Sequence, residues 1–227
     1  MKQLQIVSCV VVVLTSGLFQ AFAHSSEMFE WITDPVELAE LGFEPDGPGV
    51  QRLVHLPDER SLEEQLADRI ARLPGDIGGA SVRWASVQAT DFQPLSDGGT
   101  YATMGNFIYS CTQASANSFA DAPIHLADSR RLAYFDVWTF DSSDTQDVNV
   151  DLNRVCQSDS APFTPVVTLL ATRSSSGSGG NQFSFVSIPG SVFTQNQSCS
   201  YWVRARFESG CDAGNNLRVQ KARVIWD

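Results

Sequence analysis

From about residue 81 to the end of the chain, apolar and polar residues alternate in short runs separated by clusters of Ser, Gly, Asp and Asn. In Leu132–Phe140, Ala133, Phe135, Val137 and Thr139 share one face of an extended segment. Leu132, Tyr134, Asp136, Trp138 and Phe140 share the other. Side chains of a strand point alternately to its two faces, so this period of two predicts a half-buried strand. The same reading predicts strands over Ser81–Ala89, Gly105–Thr112, Ile124–Leu126, Val148–Val155, Val166–Thr172, Phe183–Ile188, Tyr201–Phe207 and Leu217–Trp226. The clearest breaks are Ser174–Asn181 and Glu208–Asn216. Short strands at this spacing, with no helices between them, predict an all-β fold: an antiparallel β-sandwich, jelly-roll-like, with a short N-terminal helical arm.

The period changes before residue 80. Pro35 at a first turn predicts a short helix over Pro35–Leu41. Ser61-Leu-Glu-Glu64 is a capping box that opens a second helix, running to about Leu73. Its apolar stripe is Leu62, Leu66, Ile70 and Leu73, which needs a covering surface or a second copy of the chain. Pro74-Gly-Asp-Ile-Gly-Gly79 breaks the pattern and marks a boundary. At the other end, Met1 to Ala23 combines one lysine, an apolar run and a small-residue Ala-Phe-Ala site, the pattern of a secretory signal peptide cut after Ala23. The expected division is therefore 1–23 leader, 24–79 acidic, partly helical arm and 80–227 sandwich. No further apolar stretch reaches the length of about 20 residues that a membrane helix requires, and secretion to the periplasm or exterior is expected.

Charge sharpens that division. The full chain has a formal net charge of −11, and residues 24–76 hold 13 acids against 4 arginines. Such a balance argues against nucleic acid, whose affinity rests on cations that neutralise phosphates. Cys111, Cys156, Cys199 and Cys211 remain beyond the leader, an even number without C-x-x-C metal spacing, and predict two disulfides. In an up-and-down run of strands, Cys156 and Cys199 fall at the same end. Cys199 and Cys211 are separated by a whole strand of about 20 Å, beyond the reach of about 7 Å between bridged Cα atoms. The expected pairs are Cys156–Cys199 and, by remainder, Cys111–Cys211.

The motifs Pro123-Ile-His-Leu-Ala-Asp128, Phe140-Asp-Ser142 and Val148-Asn-Val-Asp-Leu152 resemble a loose pattern in secreted bacterial β-sandwich proteins of uncharacterised function. There a proline- and glycine-bearing turn precedes an aromatic strand, an Asp-rich hairpin and a closing strand. The likeness covers about residues 90–226, and Ala127 and Ser129-Arg130 depart from it. It implies a fold and brings no activity with it.

Several groupings could carry chemistry. If Leu132–Phe140 and Val148–Val155 form a hairpin, their polar faces gather Tyr134, Asp136 and Trp138 beside Asn149, Asp151 and Asn153. Aromatic plates edged with amides and carboxylates suit a sugar-binding sheet face and equally an interface, and above either a surface covered by the chain's own N-terminal arm. In that hairpin Asp136 and Asp151 can oppose each other, which calls for a nearby cation. Trp202, Arg204 and Arg206, followed by Arg218, Lys221 and Arg223, form a basic sheet surface complementary to the acidic arm of this chain or a neighbouring copy; the alternative, an acidic polysaccharide ligand, is opposed by the chain's own negative charge. His24 would be the first residue after cleavage and could brace copper with His55 or His125. Asp141, Asp144 and Asp147 could offer oxygens to calcium, although Asp and Ser are ordinary hairpin residues. No nucleophile elbow, H-E-x-x-H, phosphate loop or dinucleotide fingerprint occurs.

These features point to an exported, non-catalytic recognition or assembly module needing no cofactor. Its expected partners are a carbohydrate or cell-surface component, or copies of itself in a homo-oligomer. The alternative is a copper-dependent polysaccharide oxidase using the N-terminal histidine.

Overall fold

The computed structural model describes residues 29–47, 49–53, 61–71, 83–95, 101–104, 107–110, 118–157, 165–177, 179–189, 192–207 and 217–227. They form, in chain order, β1 (Phe29–Ile32), α1 (Pro35–Glu40), β2 (Val50–Leu53), α2 (Leu62–Ala71), β3 (Arg83–Gln88), β4 (Gln93–Pro94), β5 (Tyr101–Met104), β6 (Phe107–Ser110), β7 (Ser118–Pro123), β8 (Leu132–Asp141), β9 (Val148–Gln157), β10 (Pro165–Ser174), β11 (Gly180–Ser187), β12 (Cys199–Phe207) and β13 (Leu217–Trp226). A seven-stranded sheet runs β1-β2-β10-β9-β12-β7-β4. A six-stranded sheet runs β11-β8-β13-β6-β5, with β3 also paired to β13. Pairing is antiparallel except for β2 beside β10. The fold is thus an all-β, jelly-roll-like sandwich with two open sheets.

The alternation seen in the sequence places the core. Phe135 and Val137 of β8, Val148, Val150 and Leu152 of β9, Val203 of β12, and Val219, Val224 and Trp226 of β13 are buried in one cluster between the sheets. β-Branched and aromatic side chains suit these pleated surfaces, and burying a side chain of this size contributes about 1.5–3 kcal/mol.

Connectivity departs from a meander. β8 and β9 lie in different sheets, so Asp141–Asp147 joins two layers and does not close a hairpin. The chain changes sheet again between β10 and β11, between β11 and β12, and between β12 and β13. Ile124–Leu126 is not a strand: β7 ends at Pro123, and the Ile124 N–H donates to the Tyr201 carbonyl. Cys156 and Cys199 are direct partners on β9 and β12 and are bonded, with Cα atoms 4.0 Å apart. Cys111 and Cys211 lie outside the described residues, as do Met1–Met28, with the leader, its cleavage site and His24.

The arm is woven into the sandwich. β1 and β2 pair with each other, and β2 extends the seven-stranded sheet through Gln51 and Arg52 beside Thr168 and Leu169 of β10. Between them α1 begins on Asp34, whose carboxylate accepts the N–H groups of Val36 and Glu37. It ends in a Schellman turn: the Gly42 N–H donates to Ala39 and the Phe43 N–H to Leu38. Gly42 has φ +75°, and a Cβ there would stand 2.7 Å from the Phe119 ring. Glycine is therefore required both by the backbone and by close packing. Leu38, Leu41, Ile32 and Val50 bury against Leu169, with Phe43 beside them. α2 carries the expected capping box: the Ser61 N–H donates to Glu64, and the Glu64 N–H donates to the Ser61 hydroxyl.

Candidate functional site

The two halves of the expected aromatic–polar cluster lie on opposite outer faces of the sandwich. β8 and β9 both turn an apolar row inward, so their polar rows must point away from each other. Tyr134, Asp136 and Trp138 sit on the outside of the six-stranded sheet; Asn149, Asp151 and Asn153 sit on the outside of the seven-stranded one. An alternating pattern reports which residues share a face of one strand. It is silent on which strand lies alongside, and the hairpin expectation failed there. Each carboxylate has its own arginine instead.

On the seven-stranded sheet those arginines come from β12. Arg206 Nε donates to Asp151 Oδ2 at 2.6 Å, and the Thr172 hydroxyl donates to the same carboxylate. Arg204 grips Asp121 of β7 through two bonds of 2.8 and 2.9 Å. The remaining donors turn outward to the arm. Arg204 Nη1 donates to the carbonyls of Leu41 and Gly42 at 3.0 and 2.7 Å, and Arg206 Nη1 to that of Glu40 at 3.2 Å. The arm therefore docks on these arginines with the carbonyl end of α1, the negative end of a helix, and not with its carboxylates. Phe43 lies on the Arg204 guanidinium at 4.7 Å. Asp151 is 1% exposed and Asn153 equally buried. Among the described residues, neither amide atom of Asn153 has a hydrogen-bond partner. The end of α1 covers this face at Arg204 and Arg206, while Thr172 and Ser174 beside it are exposed.

The outer face of the six-stranded sheet is exposed at Trp84 and Phe183, whereas Tyr134, Asp136 and Ile225 on it are buried. Strand register sets Phe183 of β11, Trp138 of β8, Lys221 of β13 and Gln88 of β3 in one row. Phe185, Asp136, Arg223 and Ser86 form the next. A third holds Ser187, Tyr134, Ile225 and Trp84. The Trp138 and Phe183 rings are 4.9 Å apart, and Phe185 follows at 6.1 Å from Phe183. Trp84 is 45% and Phe183 42% exposed, whereas Trp138 is half-buried. Asp136 is 0% exposed and is held by Arg223 through two bonds of 2.6 and 2.9 Å. Arg223 also lies 5.0 Å from the Trp138 ring centre. Lys221 Nζ sits between two indoles, 5.3 Å from Trp138 and 5.5 Å from Trp84. Burial, reinforced by Arg223, pulls the Lys221 amine below its ordinary range against the opposing pull of Asp136. At the far end of the face Tyr134 donates its hydroxyl to Asp68, which brings α2 over that end.

The anticipated basic surface is likewise two surfaces. Arg204 and Arg206 serve one sheet and Lys221 and Arg223 the other, because the chain crosses between layers after β12. Trp84 and Phe183 were missed as site residues. Their signal was present, since Trp84-Ser86-Gln88 and Phe183-Phe185 each alternate, but only topology places them beside Trp138.

The other candidates scatter. His125 is exposed on the segment after β7, and His55, like His24, lies outside the described residues. Asp141 is fully buried, accepting the Ser143 N–H at 2.8 Å and the Ser175 hydroxyl at 2.5 Å. It thus pins the β8–β9 crossing, while Asp144 is exposed and Asp147 half-buried. Among the described residues, no three His, Cys, Asp or Glu side chains are grouped to hold a metal.

Comparison of the sequence with protein-family models and with curated proteins gives no match. Among solved structures, the chain is similar to Clostridium thermocellum endo-1,4-beta-D-xylanase 10B with its CBM22-1 and GH10 modules, complexed with xylohexaose. That match has 10% identity and a TM-score of 0.43, over 65% of this chain and 28% of that one. It is also similar to the C-terminal CBM6 module of LamC from Zobellia galactanivorans, with 13% identity, a TM-score of 0.39, and 63% and 98% of the two chains. A third is the CBM22-2 xylan-binding domain of Paenibacillus barcinonensis Xyn10C, with 4% identity, a TM-score of 0.41, and 60% and 92%. The likeness is to the sandwich architecture.

Proposed function

We propose that the chain is an exported, non-catalytic carbohydrate-binding β-sandwich whose ligand lies on the outer face of the six-stranded sheet. The observation that carries this reading is the open diagonal of Trp84, Trp138 and Phe183, edged by Lys221, Arg223, Gln88 and Ser86. Aromatic faces accept the C–H faces of pyranose rings, and flanking hydrogen-bonding groups can take their hydroxyls. Across four strands spaced about 4.8 Å apart, the platform extends about 14 Å, room for a short run of sugar rings. Exposed aromatic side chains in one contiguous group are characteristic of an interaction surface. The Cys156–Cys199 disulfide fits an oxidising compartment outside the cytoplasm.

A glycan array probed with the wild-type chain and with Trp138→Ala tests the proposal. Wild-type protein is expected to bind at least one glycan, with affinity falling about tenfold or more in the variant, as for loss of a buried aromatic anchor. Equal binding by both proteins would move the site elsewhere, and no binding to any glycan by the wild type would overturn the function.

A further inference from the structure

Among the described residues, Lys221 is a cation of this platform that no carboxylate pairs. Arg223 is committed to Asp136, and on the opposite face Arg204 and Arg206 are committed to Asp121 and Asp151. Lys221 instead has two indole faces and, among the described residues, no carboxylate in an ion pair with it. Both rings present their electron-rich faces to the ammonium, which holds it at the centre of the aromatic diagonal. A half-buried ammonium without a counter-ion carries a desolvation cost, visible in its lowered basicity.

We propose that the glycan taken by this face is anionic, with a carboxylate or sulfate of one sugar residue pairing with Lys221 while neighbouring rings stack on Trp138 and Phe183. The inference rests on the carbohydrate-binding reading above and adds the charge of the ligand. Lysine presents a compact point charge on a flexible stem, so it serves a carboxylate or a sulfate equally. The acidic balance of the whole chain does not oppose this. β1 and β2, with α1 between them, carry part of that charge and lie with the seven-stranded sheet on the other side of the sandwich. Sheets pack about 10 Å apart, and screening at physiological salt acts over about 8 Å. Among the described residues, the carboxylates near this face include Asp136, neutralised by Arg223, Asp68 beside Tyr134 with Glu63 and Glu64 on the same helix, and Asp91, which accepts the Gln88 N–H; among the described residues none is ion-paired with Lys221.

Two matched pairs of probes test it: oligogalacturonate against its methyl ester, and dextran sulfate against dextran, each titrated calorimetrically into wild type, Lys221→Gln, Lys221→Arg and Trp138→Ala. In at least one pair the charged member is expected to bind the wild type roughly tenfold or more tightly than its neutral partner, as expected for a hydrogen bond to a charged group. That difference should vanish in Lys221→Gln, persist in Lys221→Arg and shrink as salt is raised. Which pair shows it identifies carboxylate or sulfate as the ligand group. Equal binding within both pairs, or a charge preference that survives in Lys221→Gln, overturns this inference. If neutral chains bind and Trp138→Ala abolishes that binding, the carbohydrate reading stands without it. If no probe and no glycan on the array binds, both fall.

Discussion

On the outside of the seven-stranded sheet, Arg204 and Arg206 each hold a carboxylate and a backbone carbonyl of the arm. On the outside of the six-stranded sheet, Arg223 holds Asp136, while Lys221 lies between two indoles and, among the described residues, forms no ion pair. The two surfaces begin with similar materials, a cationic strand beside an acidic one. They diverge because the chain folds its own N-terminal segment over the first and leaves the second uncovered over Trp84, Trp138 and Phe183. A row of cations becomes part of the scaffold where the fold supplies every counter-charge, and, on the proposal above, serves a ligand where one counter-charge is withheld.

The contrast can be broken most forcefully at Arg204. Replacing it with alanine leaves Asp121 without its guanidinium and removes both carbonyl contacts to the arm. Loss of one partner from a buried pair costs about 3–5 kcal/mol, measurable by urea unfolding. Limited proteolysis should then cut within residues 29–53 first. A loss below about 1 kcal/mol, the range of exposed pairs, would mean that the arm is not anchored there. A smaller effect is expected from Gly42→Ala, which forces a side chain into a left-handed backbone conformation against Phe119. A cost of about 1–3 kcal/mol follows from such strain, and an unchanged midpoint would show that the arm can shift without penalty.

The smallest effect concerns the open face itself. Because burial depresses the Lys221 amine in the folded chain, the folded state releases its proton at a lower pH than the unfolded chain, whose reference is 10.5. Between the folded value and 10.5 the unfolded chain binds more protons, so stability should rise with pH across that window. The rise should be absent in Lys221→Gln. Parallel stability curves for the two proteins would mean that the amine is as well solvated folded as unfolded.

Strand positions were legible in the sequence because each strand buries one face, and alternation encodes that directly. Cys156–Cys199 was legible because both residues fall at the same end of their strands. Lateral neighbours were not. Asp141–Asp147 offers the same Asp- and Ser-rich residues whether it closes a hairpin or crosses between layers, so Asp136 and Asp151 could be placed on outward faces but not on the correct ones. β1 and β2 escaped notice for a related reason. Phe29–Ile32 and Val50–Leu53 are four residues each, too short for a clear period, and they are strands only because β10 offers them an edge. The open platform was half visible: Tyr134, Asp136 and Trp138 were read correctly as one face, while Trp84, Phe183, Lys221 and Arg223 join them only through pairings distant in sequence.

The parallel pairing of β2 with β10 also has a consequence in time. Gln51 is synthesised long before Thr168, its partner across the ladder. At a synthesis rate of about 5–20 residues per second, Gln51 waits about 6–23 s before that partner exists. Arg204, which receives the end of α1, emerges later still. β1 and β2 have each other as partners from the start, but the edge that β2 joins arrives late, and the nascent pair must stay soluble and separate from other chains meanwhile. An acidic, proline-punctuated composition suits that interval, since like charges and missing N–H donors both discourage premature strand pairing. The same carboxylates that take little part in docking the arm would then act during the wait, keeping it single until the sheet is ready.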